Sequence, residues 1–125
     1  MTDQIADLLV RIKNANAIGK KEVIMPFSKM KESILMILKS ERYIADFKTT
    51  DKKAKKQLCI TLSENRLTHV KQISKPGQRI YSSSKNIPRP LRGLGLVVIS
   101  TPKGVISAKE ARKLGLGGEL ICEVW

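Results

Sequence analysis

At 125 residues the chain is long enough to bury a core without disulfide or metal staples, and a content of 42% hydrophobic and 28% charged residues excludes wholesale disorder. The unusual feature is charge: 24 Lys+Arg against 11 Asp+Glu leave +13. That balance says nothing about fold but points to an anionic partner, because every phosphate neutralised by a cation releases a counterion.

In chain order, Thr2 is placed to cap a first helix whose Ile5, Leu8, Leu9 and Ile12 share one face, with Gly19 as its stop. A short strand, Val23-Ile24-Met25, ends at Pro26. Ser28 caps a second helix that buries Met30, Ile34, Leu35, Ile37 and Leu38. Tyr43 to Thr49 alternates as a strand with Tyr43, Ala45 and Phe47 on one side. Asp51 to Lys56 reads as a basic hairpin turn, and Leu58, Ile60 and Leu62 alternate on the return strand. This α-β-α-β-β order predicts a two-layer lobe over residues 1–65, with both helices on one sheet face.

The composition then shifts. Residues 65–108 hold no carboxylate and eight cations: Arg66, Lys71, Lys75, Arg79, Lys85, Arg89, Arg92 and Lys103. Leu67 to Ile73 reads as a strand, Lys75-Pro76-Gly77 as a turn, Arg79-Ile80-Tyr81 as a short extended piece, and Ser82 to Gly93, with Pro88 and Pro90, as loop. Leu96 to Ile99 is a buried strand. The loop Ser100 to Gly104 leads to a helix that starts with the capping box Ser107-Ala108-Lys109-Glu110 and stops at Gly115. Gly117-Gly118 turns into a last strand, Glu119 to Trp125. Residues 66–125 are thus expected as a second, mainly β lobe with one short helix, and the fold class as α+β.

No catalytic constellation is visible. His69 is the one histidine and alternates within a strand pattern, and the sparse carboxylates form no pair. Cys59 and Cys122 sit in apolar runs without a CxxC pair, so they read as buried hydrophobes of a reducing compartment rather than metal ligands. Gly115-Leu116-Gly117-Gly118 follows a helix and precedes a strand, the wrong order for a phosphate-binding loop. No apolar run of ~18 residues offers a membrane span, and neither N-terminal helix spares an apolar face for a bilayer surface. The expectation is an intracellular protein with no cofactor, metal, membrane or small-molecule substrate. What remains is a surface suited to RNA. In the segment Ser100-Thr101-Pro102-Lys103-Gly104, hydroxyls and a lysine stand beside a glycine that permits close approach. Tyr81, within the acid-free stretch, offers a ring for base stacking.

Three blocks carry a family resemblance: Asp3 to Asn14, Lys75 to Tyr81 with Gly93 to Leu96, and above all Ser100 to Ile106 followed by Glu110 to Lys113 and Gly115 to Trp125. Together they are very similar, in order and over nearly the whole chain, to the bacterial-type small-subunit ribosomal protein eight family. The resemblance implies a non-enzymatic primary binder of small-subunit (16S) ribosomal RNA, docked on a central-domain stem with an irregular, unpaired core. It implies a role in organising the platform, and contacts with the neighbouring small-subunit proteins five and twelve. Some members also repress translation by binding their own operon's messenger RNA. It implies a cytoplasmic setting within the small subunit, without separating bacterial from organelle ribosomes. Carried over by residue, the main RNA contact falls on Thr101, Pro102, Lys103 and Gly104, adjoining Ser100. Tyr81 lies where the family places an aromatic near RNA, and Glu119 matches an acidic residue that orders the RNA-facing loop. Ser28 and Lys29 match a contact to the RNA backbone. This chain departs from the family at Pro102, where the usual serine would add a hydroxyl hydrogen bond of about 1 kcal/mol, and at Ser82-Ser83-Ser84, where relatives are often basic.

Overall fold

A computed structural model describes residues 4–63 and 67–125, so the expected Thr2 cap and the 65/66 boundary lie outside the described residues. The fold is α+β, in two compact units, one ending at Thr68 and the other spanning His69–Trp125.

In the first unit, helix α1 (Gln4–Ala17) buries Leu8, Leu9 and Ile12 and closes at Gly19, whose φ of 76° is one a side chain would resist. Strand β1 (Glu22–Pro26) leads to helix α2 (Lys29–Ser40), and strands β2 (Ile44–Lys52) and β3 (Lys55–Leu62) complete an antiparallel sheet of order β1-β3-β2. Four details differ from the sequence reading. The buried stripe of α2 is Lys31, Ile34, Leu35 and Leu38, while Met30 is exposed. Lys31 can take the inward position because its ammonium donates to the Pro26 carbonyl at 3.2 Å while its stem packs. In β2 the pairing slips between Ile44 and Asp46. Ala45 is the extra residue, so Ile44 is buried and Ala45 exposed, with Tyr43 half-buried before the strand begins. Cys59 is also only half-buried; it faces away from Leu58 and Ile60, and its thiol donates to a Glu22 carboxylate oxygen at 3.7 Å. The basic turn shrinks to Lys53-Ala54, both at positive φ, because Lys52 and Lys55 already pair.

In the second unit, β4 (Val70–Gln72), β5 (Tyr81–Ser82), β6 (Leu96–Thr101), β7 (Gly104–Ser107) and β8 (Gly118–Val124) form one antiparallel sheet, joined by helix α3 (Ala108–Leu114) and a 3₁₀ turn, Pro90–Gly93. β8 is central. β6 and then β7 lie on one side; β4 and β5 follow each other along the other side. The expected Leu67 to Ile73 strand is shorter, and the expected loop Ser100 to Gly104 is mostly strand: Ser100 and Thr101 end β6, and Gly104 opens β7, which closes a hairpin with β6. Ser107 caps α3 by accepting from the Glu110 amide at 3.2 Å, and Gly115 ends it at φ 68°. Ala108 and Ala111 of α3 pack on Val97, Ile99 and Leu120, with Ile87 closing the cluster. Each large aliphatic side chain buried there contributes roughly 1.5–3 kcal/mol.

Candidate nucleic-acid interface

Register in the second sheet decides what comes together. Glu119 of β8 is the direct partner of Tyr81 on one side and of Ser100 on the other. Directly opposite residues project to the same face, so Tyr81, Glu119 and Ser100 form a row about 10 Å wide. Their neighbours Leu120 and Ile99 point the other way, into the core beneath α3. The row is tightened by Gly117-Gly118. A Cβ on Gly118 would collide with the Ser100 carbonyl, and one on Gly117 with the carbonyl of Ser82 and, at 2.8 Å, with Ser83 Cα. The double glycine thus lets β5 and the end of β6 close on the start of β8, where a sequence reading sees only a helix stop and a turn.

The tip of the β6–β7 hairpin lies at this end of the sheet. Thr101 pairs with Gly104, leaving Pro102-Lys103 as the turn. Proline holds φ near −65°, which excludes the primed turns common in hairpins; Gly104 supplies the positive φ instead, at 118°. Thr101 is only 8% exposed. Its hydroxyl donates to the Gly104 carbonyl at 2.9 Å and accepts from the Lys103 amide at 3.2 Å. Thr101 therefore closes the tip from inside, and the atoms presented outward belong to Pro102, Lys103 and Gly104, all exposed. Tyr81 is 69% exposed, an aromatic ring left outside the core.

Glu119 is held by a residue the sequence reading missed as part of the site. Arg79 Nη1 donates to Glu119 Oε2 at 3.0 Å. The signal was available only through pairing: Arg79 stands two positions before Tyr81, which faces Glu119. Ser74 is a second unanticipated contributor. Its buried hydroxyl accepts from the Ile80 amide at 2.9 Å and donates to the Ile80 carbonyl at 3.2 Å, pinning the strand that carries Tyr81. Ser28 and Lys29 belong to the first unit. Ser28 is the N-cap of α2, accepting from the Lys31 amide at 3.4 Å, and Lys29 is exposed beside it.

His69 is stacked on Trp125, with ring centroids 3.7 Å apart, and its Nε2 lies 3.6 Å from a Glu123 carboxylate oxygen. It stands just before β4, exchanging backbone hydrogen bonds with Trp125 at 2.9 and 3.1 Å. Among the described residues no three His, Cys, Asp or Glu side chains gather as a metal cluster, and no helix is long and apolar enough to cross a membrane.

Comparison with known proteins gives a consistent result. The family model described as Ribosomal protein S8 matches residues 3–125. Proteins called "Small ribosomal subunit protein uS8" from Thermus aquaticus and from Thermus thermophilus are each 45% identical to this chain over an alignment 137 positions long, gaps included, covering 100% of the chain and 99% of the relative.

Proposed function

The chain belongs to the ribosomal protein S8 family, and from that premise we propose that it is a primary binder of the central domain of small-subunit ribosomal RNA that helps assemble the platform. At the coarser level it is a structural protein of the small ribosomal subunit and not an enzyme, with the subunit's RNA and proteins as its partners. Small-subunit proteins five and twelve are its proposed protein neighbours, and its own operon's messenger RNA a proposed second target.

The observation that supports this reading best is the row Tyr81, Glu119, Ser100 beside a closed, outward-facing tip. An exposed ring can stack on an unpaired base. The rigid tip can lie against the wide, shallow minor groove of any A-form helix, but splayed bases for stacking and hydrogen bonding are offered only where the helix is irregular. The proposed contacts are Tyr81, Ser100, Thr101, Pro102, Lys103, Gly104 and Glu119 from the residue 66–125 lobe, with Ser28 and Lys29 from the residue 1–65 lobe. Thr101 acts by shaping the tip, and Glu119 by holding Arg79 while remaining available to a base or ribose donor.

The test is equilibrium binding to a central-domain stem with its irregular core, beside a perfectly paired stem of equal length, at one near-physiological salt concentration. The wild type should prefer the irregular stem. Thr101→Ala should reduce that preference by about tenfold, because two hydrogen bonds that set the tip are lost. Equal binding of both RNAs by the wild type would leave only a generic polycation.

A further inference from the structure

A second cationic feature lies on the other side of the same sheet. Pro88 and Pro90 restrain the backbone around Arg89, and the arch they belong to is anchored at both ends. Ile87 is buried in the core under α3. The Gly95 amide donates to the Pro90 carbonyl at 3.0 Å, and Gly95 packs so closely that a Cβ there would come within 2.9 Å of the proline ring. From α3, Arg112 reaches this arch. Its Nη2 donates to the carbonyls of Ile87 at 3.4 Å and Pro88 at 3.0 Å, which fixes the guanidinium beside the residue that precedes Arg89. Burial first and the Arg89 charge second disfavour protonated Arg112. Among the described residues, no carboxylate pairs with either arginine. Lys109, three residues before Arg112, adds a third cation on the same helix face.

One cation on the restrained arch and a second fixed against that arch by hydrogen bonds, with no ion-paired carboxylate among the described residues, make a site for an external anion. Paired guanidinium forks match a phosphodiester better than a point charge does. We infer that Arg89 and Arg112 form a second RNA-backbone site, one that grips a phosphodiester of a ribosomal RNA segment other than the stem met by Tyr81 and the hairpin tip. The separation follows from the alternation of side chains. Tyr81, Glu119 and Ser100 face away from the layer in which α3 lies, so one short stem does not reach both. The inference rests on the reading of the chain as an RNA binder.

The experiment compares wild type with Arg89→Gln on two probes, the irregular stem alone and full-length small-subunit ribosomal RNA. Arg89→Gln should bind the full-length RNA about three- to tenfold more weakly, with the salt slope reduced by about one, and bind the stem unchanged. Its melting temperature should not fall, because the substitution relieves a repulsion. Unchanged affinity for full-length RNA would overturn the site. Equal losses on both RNAs would place Arg89 on the stem surface and overturn the second-segment assignment. A loss of affinity that tracks a lower melting temperature would make Arg89 merely structural. Arg112→Lys, which keeps the charge and loses the fork, should reproduce the loss on full-length RNA. The guanidinium NMR signals of Arg89 and Arg112, followed while a perfectly paired RNA duplex is added, should shift together. That shift requires no stem preference, so its absence would sink this site even if the stem reading stood, and its presence would uphold the site even if the stem reading failed.

Discussion

Cys122 shows what a buried residue can report. It is fully enclosed in β8, and burial, reinforced by the Glu123 charge, pushes its thiol up to about 12. In the unfolded chain the thiol ionises near its ordinary value of about 8.5. Between those values the unfolded state binds fewer protons than the folded one, so stability falls as pH rises, by up to about 1.4 kcal/mol per pH unit. Urea unfolding at about pH 8, 9 and 10 should therefore give a steeper decline for wild type than for Cys122→Ala; parallel declines would show that the thiol is not the titrating group. Thr101 makes a related point. It reads in sequence as a hydroxyl offered to RNA, yet in the folded chain Gly104 and Lys103 already engage it. Lys31 hides in a different way: nothing in its identity says that a nearby carbonyl, Pro26, will accept its ammonium.

Among the elements, the β2–β3 hairpin carries a correctable flaw. Lys53 and Ala54 take φ of 53° and 63°, where a Cβ costs roughly 1 kcal/mol or more per residue. Replacing them by Asn-Gly, the pair such two-residue turns prefer, should stabilise the protein by about 1 kcal/mol and raise its melting temperature by a few degrees, measured by calorimetry. An unchanged or lower melting temperature would mean that the strain is relieved in some other way. The helices and most strands were legible because apolar spacing and caps such as Ser28 and Ser107 act locally. What escaped depends on partners distant in sequence. The slip at Ala45 is visible only against β3. β7 is only four residues long, with Gly104 exposed and the other three half-buried, so it shows no run or clear alternation. The row of Tyr81, Glu119 and Ser100 exists only through register, which no single segment encodes. Gly117-Gly118 reads in sequence as a turn, whereas its use is to admit neighbouring backbone.

For the whole molecule, +13 predicts binding governed by salt. If about six phosphates are engaged, affinity for a perfectly paired stem should fall on the order of a thousandfold between about 50 and 200 mM salt. The ratio of irregular to regular stem should change far less, since base stacking and shape carry that part. A filter-binding series would show it, and a flat salt response would exclude a backbone-led interface. A last consequence concerns time. β8 comes last among the described elements and is yet the strand to which β4, β5 and β6 all bond. At 5–20 residues per second, roughly 3 to 11 s separate the synthesis of residue 68 from that of residue 124. The first unit can fold in that interval from segments already made. The second must wait, its strands lacking their common partner, so a nascent chain would hold Ser28 and Lys29 ready well before Tyr81 and the hairpin tip take shape.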